Sequence, residues 1–492
     1  MIYKMMTVIF LLKGGYLMLN FRPEIVWKYF EEITKIPRCS GNEDEIIKWT
    51  VNLANSHNFK SEVDYYGNVK ISKEASKGFE KSKGVILQAH LDMVCEPKET
   101  IKFPLCLIID NGWIKAQGTT LGADDGIGVA MALAVLTSDN IKHPPLEILF
   151  TVEEETALTG ASNLMSGFIS YKRLINLDSE NEGRITIGGA GGGNSIITIP
   201  LKRDNDLQGK IAILFNITGL KGGHSGVNIH ERLNAIKILS EFLMEFKNQI
   251  PEFQLVNVEG GTRHNVIPSD AKANFLIKEE NEGVVKKIAD EYFNKWKMQW
   301  AAVEPDIKIL INKTKIPAEI ISKDITDKIV DLLYELPSGV IAWNKDFDKV
   351  VQTSTNLATV KTLKDAIEIL QSSRSLYVEE LDNVRTNIKQ MAEKYGANCA
   401  NDESYPAWKP DPESELLKTS KNVYKSMYGV SPIVEVIHGG LETGVILNKF
   451  PGIDMISIGP TMEDVHSTRE RLDIESVEKT YKFLIKLLEA VC

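Results

Sequence analysis

Five short stretches of this chain hold acids and histidines that could act together. His90-Leu91-Asp92 closes an apolar run, and side chains two apart on an extended segment share a face. The Asp92 carboxylate can therefore orient the His90 ring. Asp124 and Asp125 are adjacent in LGADDG. Helix capping accounts for one of them, whereas a bound cation accounts for both the proximity and the ionisation of two like charges. Glu153-Glu154-Glu155 follows the apolar run Pro145–Val152, Asp178 ends RLINLD, and His466 follows DMISIGPTMED. A run of acids is most often a solvated loop. Here, however, carboxylates and two histidines recur at the ends of buried-type strands, where open α/β sheets place ligands. Together they read as a binuclear metal site with oxygen and nitrogen donors. Two divalent ions sharing a bridging carboxylate form the usual hydrolytic pair. Such donors without thiolate suit Zn2+ and tolerate Mn2+ or Co2+. One glutamate of the run is expected to stay unligated, as the base that takes a proton from water and passes it to a leaving amine.

The elements needed to hold these residues are legible. Gly84–His90, Pro145–Val152, Arg173–Asp178 and Asp454–Gly459 are continuous apolar runs without alternation, the pattern of strands buried on both faces. Amphipathic spacing predicts helices over Pro23–Ile36 and Ile46–Ala54, and the small-residue run Gly126–Thr137 predicts a tightly packed one. Beyond GGAGGG (Gly188–Gly193) a second series is expected. Its strands are Ile211–Thr218, Ala273–Ile277 and Val350–Val360, and its helices Ile229–Lys247 and Leu376–Lys394. The Pro-rich SYPAWKPDPES then returns the chain to strand and helix patterns ending in Ser476–Ala490. The fold expected is α/β: a catalytic domain with a mixed, mainly parallel sheet and flanking helices, interrupted by an inserted α+β domain. The boundaries are a disordered extension over 1–17, a catalytic domain over 18–190 and 399–492, and an insertion over 191–398. Contiguous domains divided near residue 190 are the alternative. GGAGGG lacks the G-K-[ST] ending of a phosphate loop and reads as a hinge or tight turn.

Composition narrows the function classes. The 492 residues carry a net charge of −10, with 43% hydrophobic and 25% charged residues, which disfavours a sequence-independent nucleic-acid binder. No apolar run approaches the length of a membrane span, and Met5–Leu12 is short for a signal peptide. Five scattered cysteines, nowhere spaced C-x-x-C, argue against a disulfide scaffold and for a reducing cytoplasm.

Nine motifs, in order from about residue 20 to the C-terminus, carry a family resemblance: AHLDMV, TTLGADDGIGVA, FTVEEETALTGA, LINLDSENEG, GGHSG, GGTRHNVIP, SYPAWKPDPES, IHGGLETG and SIGPTMEDVHS. The chain resembles the aminoacyl-histidine (Xaa-His) dipeptidases of the carnosinase and aminoacylase superfamily of co-catalytic metallopeptidases. The resemblance implies a catalytic domain with an inserted lid and hydrolysis of unblocked dipeptides by a metal-activated hydroxide. It also implies a cytoplasmic homodimer acting on small peptides, with no nucleic-acid or membrane partner. It makes His90 and Asp178 ligands of one metal, Glu155 and His466 ligands of the other, and Asp124 the bridge. Glu154 becomes the general base and Asp92 the residue orienting His90, with Glu155 five positions before Gly160. His224 would steady the scissile carbonyl. Asn265, Arg374, Gly440 and Glu442 would bind substrate, Arg374 meeting the C-terminal carboxylate and Glu442 the α-amine. Asp125, Ala157 and Thr468 depart from the commoner Asn, Gly and Pro without removing a ligand. A tripeptide aminopeptidase, an N-acyl amino acid amidohydrolase and a non-catalytic metal-binding scaffold are the rivals.

Overall fold

The structure is a computed structural model and describes residues 21–492. The extension expected over residues 1–17 lies outside the described residues. The described residues form two compact units: residues 21–188, 410–436 and 441–492 in the first, residues 189–409 and 437–440 in the second.

The first unit is built on an eight-stranded sheet. Its strands are β1 (Lys60–Val63), β2 (Val69–Lys73), β3 (Val85–His90), β4 (Leu146–Thr151), β5 (Arg173–Asn176), β6 (Arg184–Gly189), β7 (Ile433–Ile437) and β8 (Asp454–Ser457). The order is β1-β2-β4-β3-β5-β8-β6-β7. The four central strands β4, β3, β5 and β8 run parallel, so their carboxyl ends share one edge. Every residue of β3 and β4 is buried, as their unbroken apolar character predicts. The helix Ala123–Thr137 is buried at every position but the last, and its alanines and glycines allow close packing against β3 and the helix Glu24–Ile33.

A row of polar side chains crosses this apolar sheet. Asn176 donates to Gln88 Oε1 (2.6 Å), Gln88 donates to Thr151 Oγ1 (3.2 Å), and Ser457 donates to Asn176 Oδ1. Ser179 links Ser457 (2.8 Å) to Thr186 (3.4 Å), and Thr186 donates to Glu435 (3.1 Å), which pairs with Arg184 at 2.6 Å. The row visits six adjacent strands. Each buried group left unpaired would cost about 1–3 kcal/mol, so the register of the sheet is specified from within.

The second unit is α+β. Its nine-stranded sheet pairs antiparallel throughout the registers Lys210–Thr218 with Ala271–Lys278, Val351–Thr362 with Ala366–Ser375, and Ala366–Ser375 with Gly191–Pro200. Phe215, Phe242, Phe246, Phe253 and Phe275 are fully buried and form an aromatic core, with Phe215 and Phe242 ring centres 4.8 Å apart.

Four expectations are corrected. The helix placed from Ile229 begins at Ala235, because the Asn234 side chain caps the amides of Ile236 and Lys237. GGAGGG is not a turn. It is extended across the end of β6 and the start of Gly191–Pro200, where a Cβ on Gly192 would stand 2.4 Å from the Tyr405 hydroxyl. The second unit also runs to Lys409, past the expected limit, since Asn398–Asn401 pairs with Gly191–Pro200. Finally, against the expectation from the cysteine pattern, Cys39 and Cys95 are joined in a disulfide. The segment Arg38–Ser40 runs beside the exit of β3, with Cys39 opposite Met93, and this brings the two cysteines together. Cys106, Cys399 and Cys492 are free.

Candidate metal centre

Parallel strands deliver the chemistry to one edge. His90 is the last residue of β3, the Glu153–Glu155 run follows β4, Asp178 follows β5, and His466 lies in the loop after β8. His90 is 1% exposed. Its Nε2 lies 3.1 Å from Asp124 Oδ1 and 3.6 Å from Asp178 Oδ1. The other oxygen of Asp124 lies 2.9 Å from His466 Nε2, which is also 2.9 Å from Glu155 Oε2. His466 adopts a left-handed backbone (φ 60°), an uncommon conformation for a side chain of this size.

Asp92 organises the other side of the centre. It is completely buried and sits 3.3 Å from His90 Nδ1. Its Oδ1 accepts the Glu154 amide (3.0 Å), and its Oδ2 accepts the Glu155 amide (3.2 Å) and the Ser40 hydroxyl (2.7 Å). One carboxylate thus fixes both the histidine ring and the backbone of the glutamate run. Below it, the buried Arg38 guanidinium donates to the carbonyls of Leu91 (2.9 Å), Asp92 (2.6 Å) and Gly122. Asp125 turns inward: its oxygens accept the amides of His90 and Gly128, both at 3.1 Å. Gly128 must be glycine, because a Cβ there would stand 2.1 Å from Asp125 Oδ1.

The electrostatics fit a cationic occupant. Burial pushes the Asp178, Asp125 and Glu154 carboxyls well above the usual range, and neighbouring acids push the same way. Burial also raises Asp124, but hydrogen bonds from His466 and His90 outweigh it and hold that carboxyl far below its usual value. Burial lowers His466, yet contact with Asp124 and Glu155 carries it up to about 11. Glu155 Oε1 is buried without a hydrogen-bond partner. Among the described residues, three donor groups have ligand atoms within 4.8 Å of one another: His90–Asp124–Asp178, Asp124–Glu155–His466, and His90–Glu154–Glu155. The first two share Asp124. Mixed imidazole and carboxylate donors of this kind suit a divalent cation.

Glu442 was expected to line the substrate pocket. The structure encloses it at 2% exposure, with Oε2 accepting from Thr151 (2.6 Å) and Gln88 (2.7 Å) at the end of the polar row. Burial, relieved in part by His90, brings its carboxyl up to about 7.

The remaining expected residues lie in the second unit. His224 pairs across a short antiparallel bridge with Val266, and the Ser225 amide donates to the Asn265 carbonyl (2.9 Å). Arg374 lies at the end of the strand Ala366–Ser375, 8% exposed. It donates to the Tyr405 hydroxyl (2.8 Å), while its Nε is buried without a partner. Tyr405 also explains Gly440, where a Cβ would stand 2.7 Å from its ring. His438 is hydrogen bonded to Ser354 (2.7 Å), and burial next to Arg374 lowers it to about 3, so the ring is neutral. Arg38, Ser40 and Tyr405 were not singled out from the sequence. Tyr405 lies inside SYPAWKPDPES, whereas Arg38 and Ser40 lie in none of the quoted motifs and carry no spacing signal.

The family described as peptidase family M20/M25/M40 matches residues 86–490. The cytosol non-specific dipeptidase of Escherichia coli (strain K12) is 36% identical over 476 residues, covering 95% of this chain and 98% of that protein. The crystal structure of aminoacylhistidine dipeptidase from Vibrio alginolyticus superposes with a TM-score of 0.89 at 35% identity, over 96% of this chain and 98% of that one. Aminopeptidase PepT from Bacillus cereus, at 19% identity and a TM-score of 0.55 over 96% and 99% of the two chains, shares the fold.

Proposed function

This chain belongs to peptidase family M20/M25/M40, and we propose that it is a dipeptidase hydrolysing unblocked dipeptides with two divalent metal ions. The observation that carries the proposal is the sharing of Asp124 between two three-residue donor groups. His90 and Asp178 would hold one ion and Glu155 and His466 the other, with Asp124 between them. Zinc suits these donors, and manganese or cobalt would be accepted. When bound, such a pair supplies Lewis-acid polarisation of the scissile carbonyl and an acidified water.

The protein's own groups do the rest. Glu154 takes the proton from the attacking water and delivers it to the departing amine. Asp92 keeps the Glu154 backbone and the His90 ring in place. In the second unit His224 would donate to the carbonyl oxygen as it gains charge. Arg374, buried with an unpartnered Nε and its Nη1 held by Tyr405, is preorganised for the substrate carboxylate. Asn265 and Gly440 would complete the substrate contacts. Glu442 we assign to bracing Gln88 and Thr151 and not to the α-amine, because of its enclosure. A homodimer in the cytoplasm belongs to the same proposal, supported by the motif resemblance and the cytosol dipeptidase relative.

The test is a reconstituted assay. Chelator-stripped protein receives zinc, manganese or cobalt and is offered carnosine, Gly-His, Leu-Gly, a tripeptide and an N-acetyl amino acid. Metal-dependent cleavage confined to the unblocked dipeptides is expected. Cleavage of only the tripeptide or the acylated substrate would overturn the dipeptidase reading and keep the centre. His224→Ala is expected to lower kcat by about 100- to 1000-fold, as for other oxyanion donors, with KM little changed. A change in KM alone would make His224 a simple binding residue.

A further inference from the structure

We infer that Glu470 is a positioning residue that fastens the His466 loop to the Asp124 loop, so that the Asp124–Glu155–His466 group holds its ion at full affinity only while Glu470 is in place. Glu470 is 2% exposed and belongs to none of the donor groups. Its two oxygens collect four successive backbone amides. Oε2 accepts from Leu121 (2.8 Å) and Gly122 (3.0 Å), and Oε1 from Ala123 (2.8 Å) and Asp124 (3.4 Å). These amides open the helix Ala123–Thr137, and donors in a first turn have no partner within the helix. A carboxylate there is a charge-assisted acceptor facing the positive end of the helix.

The same residue closes the loop that carries His466. Glu470 donates its amide to the Ser467 carbonyl (3.0 Å), and the Ser467 hydroxyl donates to the Asp464 carbonyl (2.7 Å). His466 sits inside this turn in its left-handed conformation. Across from Glu470, Arg38 grips the Gly122 carbonyl and those of Leu91 and Asp92. The Asp124 loop is thus held by its amides through an anion and by a carbonyl through a cation. Only the anion comes from the turn that supplies the second metal's histidine. Without it, Asp124 and His466 lose their common anchor, whereas His90 and Asp178, at the ends of β3 and β5, keep theirs.

The inference rests on the two-metal reading, and the experiment separates the two. Calorimetric titration of chelator-stripped protein with zinc, and absorption titration with cobalt, are run on wild type, Glu470→Gln and Glu470→Asp. Glutamine turns an amide group toward backbone N–H donors, and aspartate keeps the charge but falls short of the loop. Wild type is expected to bind two ions. In both variants the ion of the Asp124–Glu155–His466 group is expected to bind about 10- to 100-fold more weakly, the range for outer partners of metal ligands, while the other, which keeps His90 and Asp178, weakens much less through the shared Asp124. Aspartate, which retains the charge, should be the milder change. A role in stability alone would lower Tm and leave both isotherms unchanged, which would overturn the inference, as would equal weakening of both ions. Should Glu470→Gln fail to fold, Glu470→Asp decides by the same criteria. A wild type that binds fewer than two ions would overturn the metal reading itself and the inference with it.

Discussion

Replacing Glu154 with alanine is expected to leave two metal ions bound and to lower kcat by about 100- to 10,000-fold, the range for a positioned general base. The backbone there does not depend on the side chain. Asp92 receives the Glu154 and Glu155 amides, and the Glu153 carbonyl receives the Thr159 amide, so truncation beyond Cβ leaves Glu155 where it is. The experiment has a sharp alternative, because Glu154 also lies within ligand distance of His90 and Glu155. Metal content by atomic emission, measured alongside kcat, decides it. Loss of one ion would make Glu154 a ligand and move the base to a neighbouring glutamate.

His466→Ala is the second large effect. His466 is the single imidazole of its donor group, and its Nε2 touches both Asp124 and Glu155 at 2.9 Å. Its removal leaves two carboxylates facing one another without a counter-charge. One ion is expected to be lost, and with it several kcal/mol of transition-state stabilisation, so that kcat/KM falls by about 1000-fold or more. Unlike Glu154→Ala, this variant should show stoichiometry and rate falling together. Retention of both ions would remove His466 from the ligand set. Excess metal that restores activity would show the loss to be one of affinity.

Much of this was legible because buried parallel strands announce themselves. GVILQAH and PLEILFTV have no polar face to alternate, and their chemistry stands at their carboxyl ends. The residues that support the centre were not legible, for a physical reason. Arg38 and Glu470 act through backbone groups of a loop distant in sequence, so no spacing rule marks them. Cys39 and Cys95 are 56 positions apart and meet only because two segments run side by side. The enclosure of Glu442 depends on Gln88 and Thr151, two strands that a local reading of HGGLETG does not see. The helix expected from Ile229 starts at Ala235 because the Asn234 side chain caps its first amides, a signal that the extent of the apolar pattern does not carry.

The position of β8 bears on how the chain is made. β5 and β6 are near neighbours in sequence, yet β8 lies between them in the sheet. Ser457 on β8 supplies the hydrogen bond that joins Asn176 to the rest of the polar row, across 281 residues. On a ribosome, the whole second unit emerges before that strand does. Until then the nascent sheet holds a slot in its middle, flanked by two unpaired edges and a half-satisfied amide. The order of synthesis therefore makes the last few dozen residues both the keystone of the sheet and the carrier of His466, so an incompletely synthesised chain has neither a closed sheet nor a complete centre.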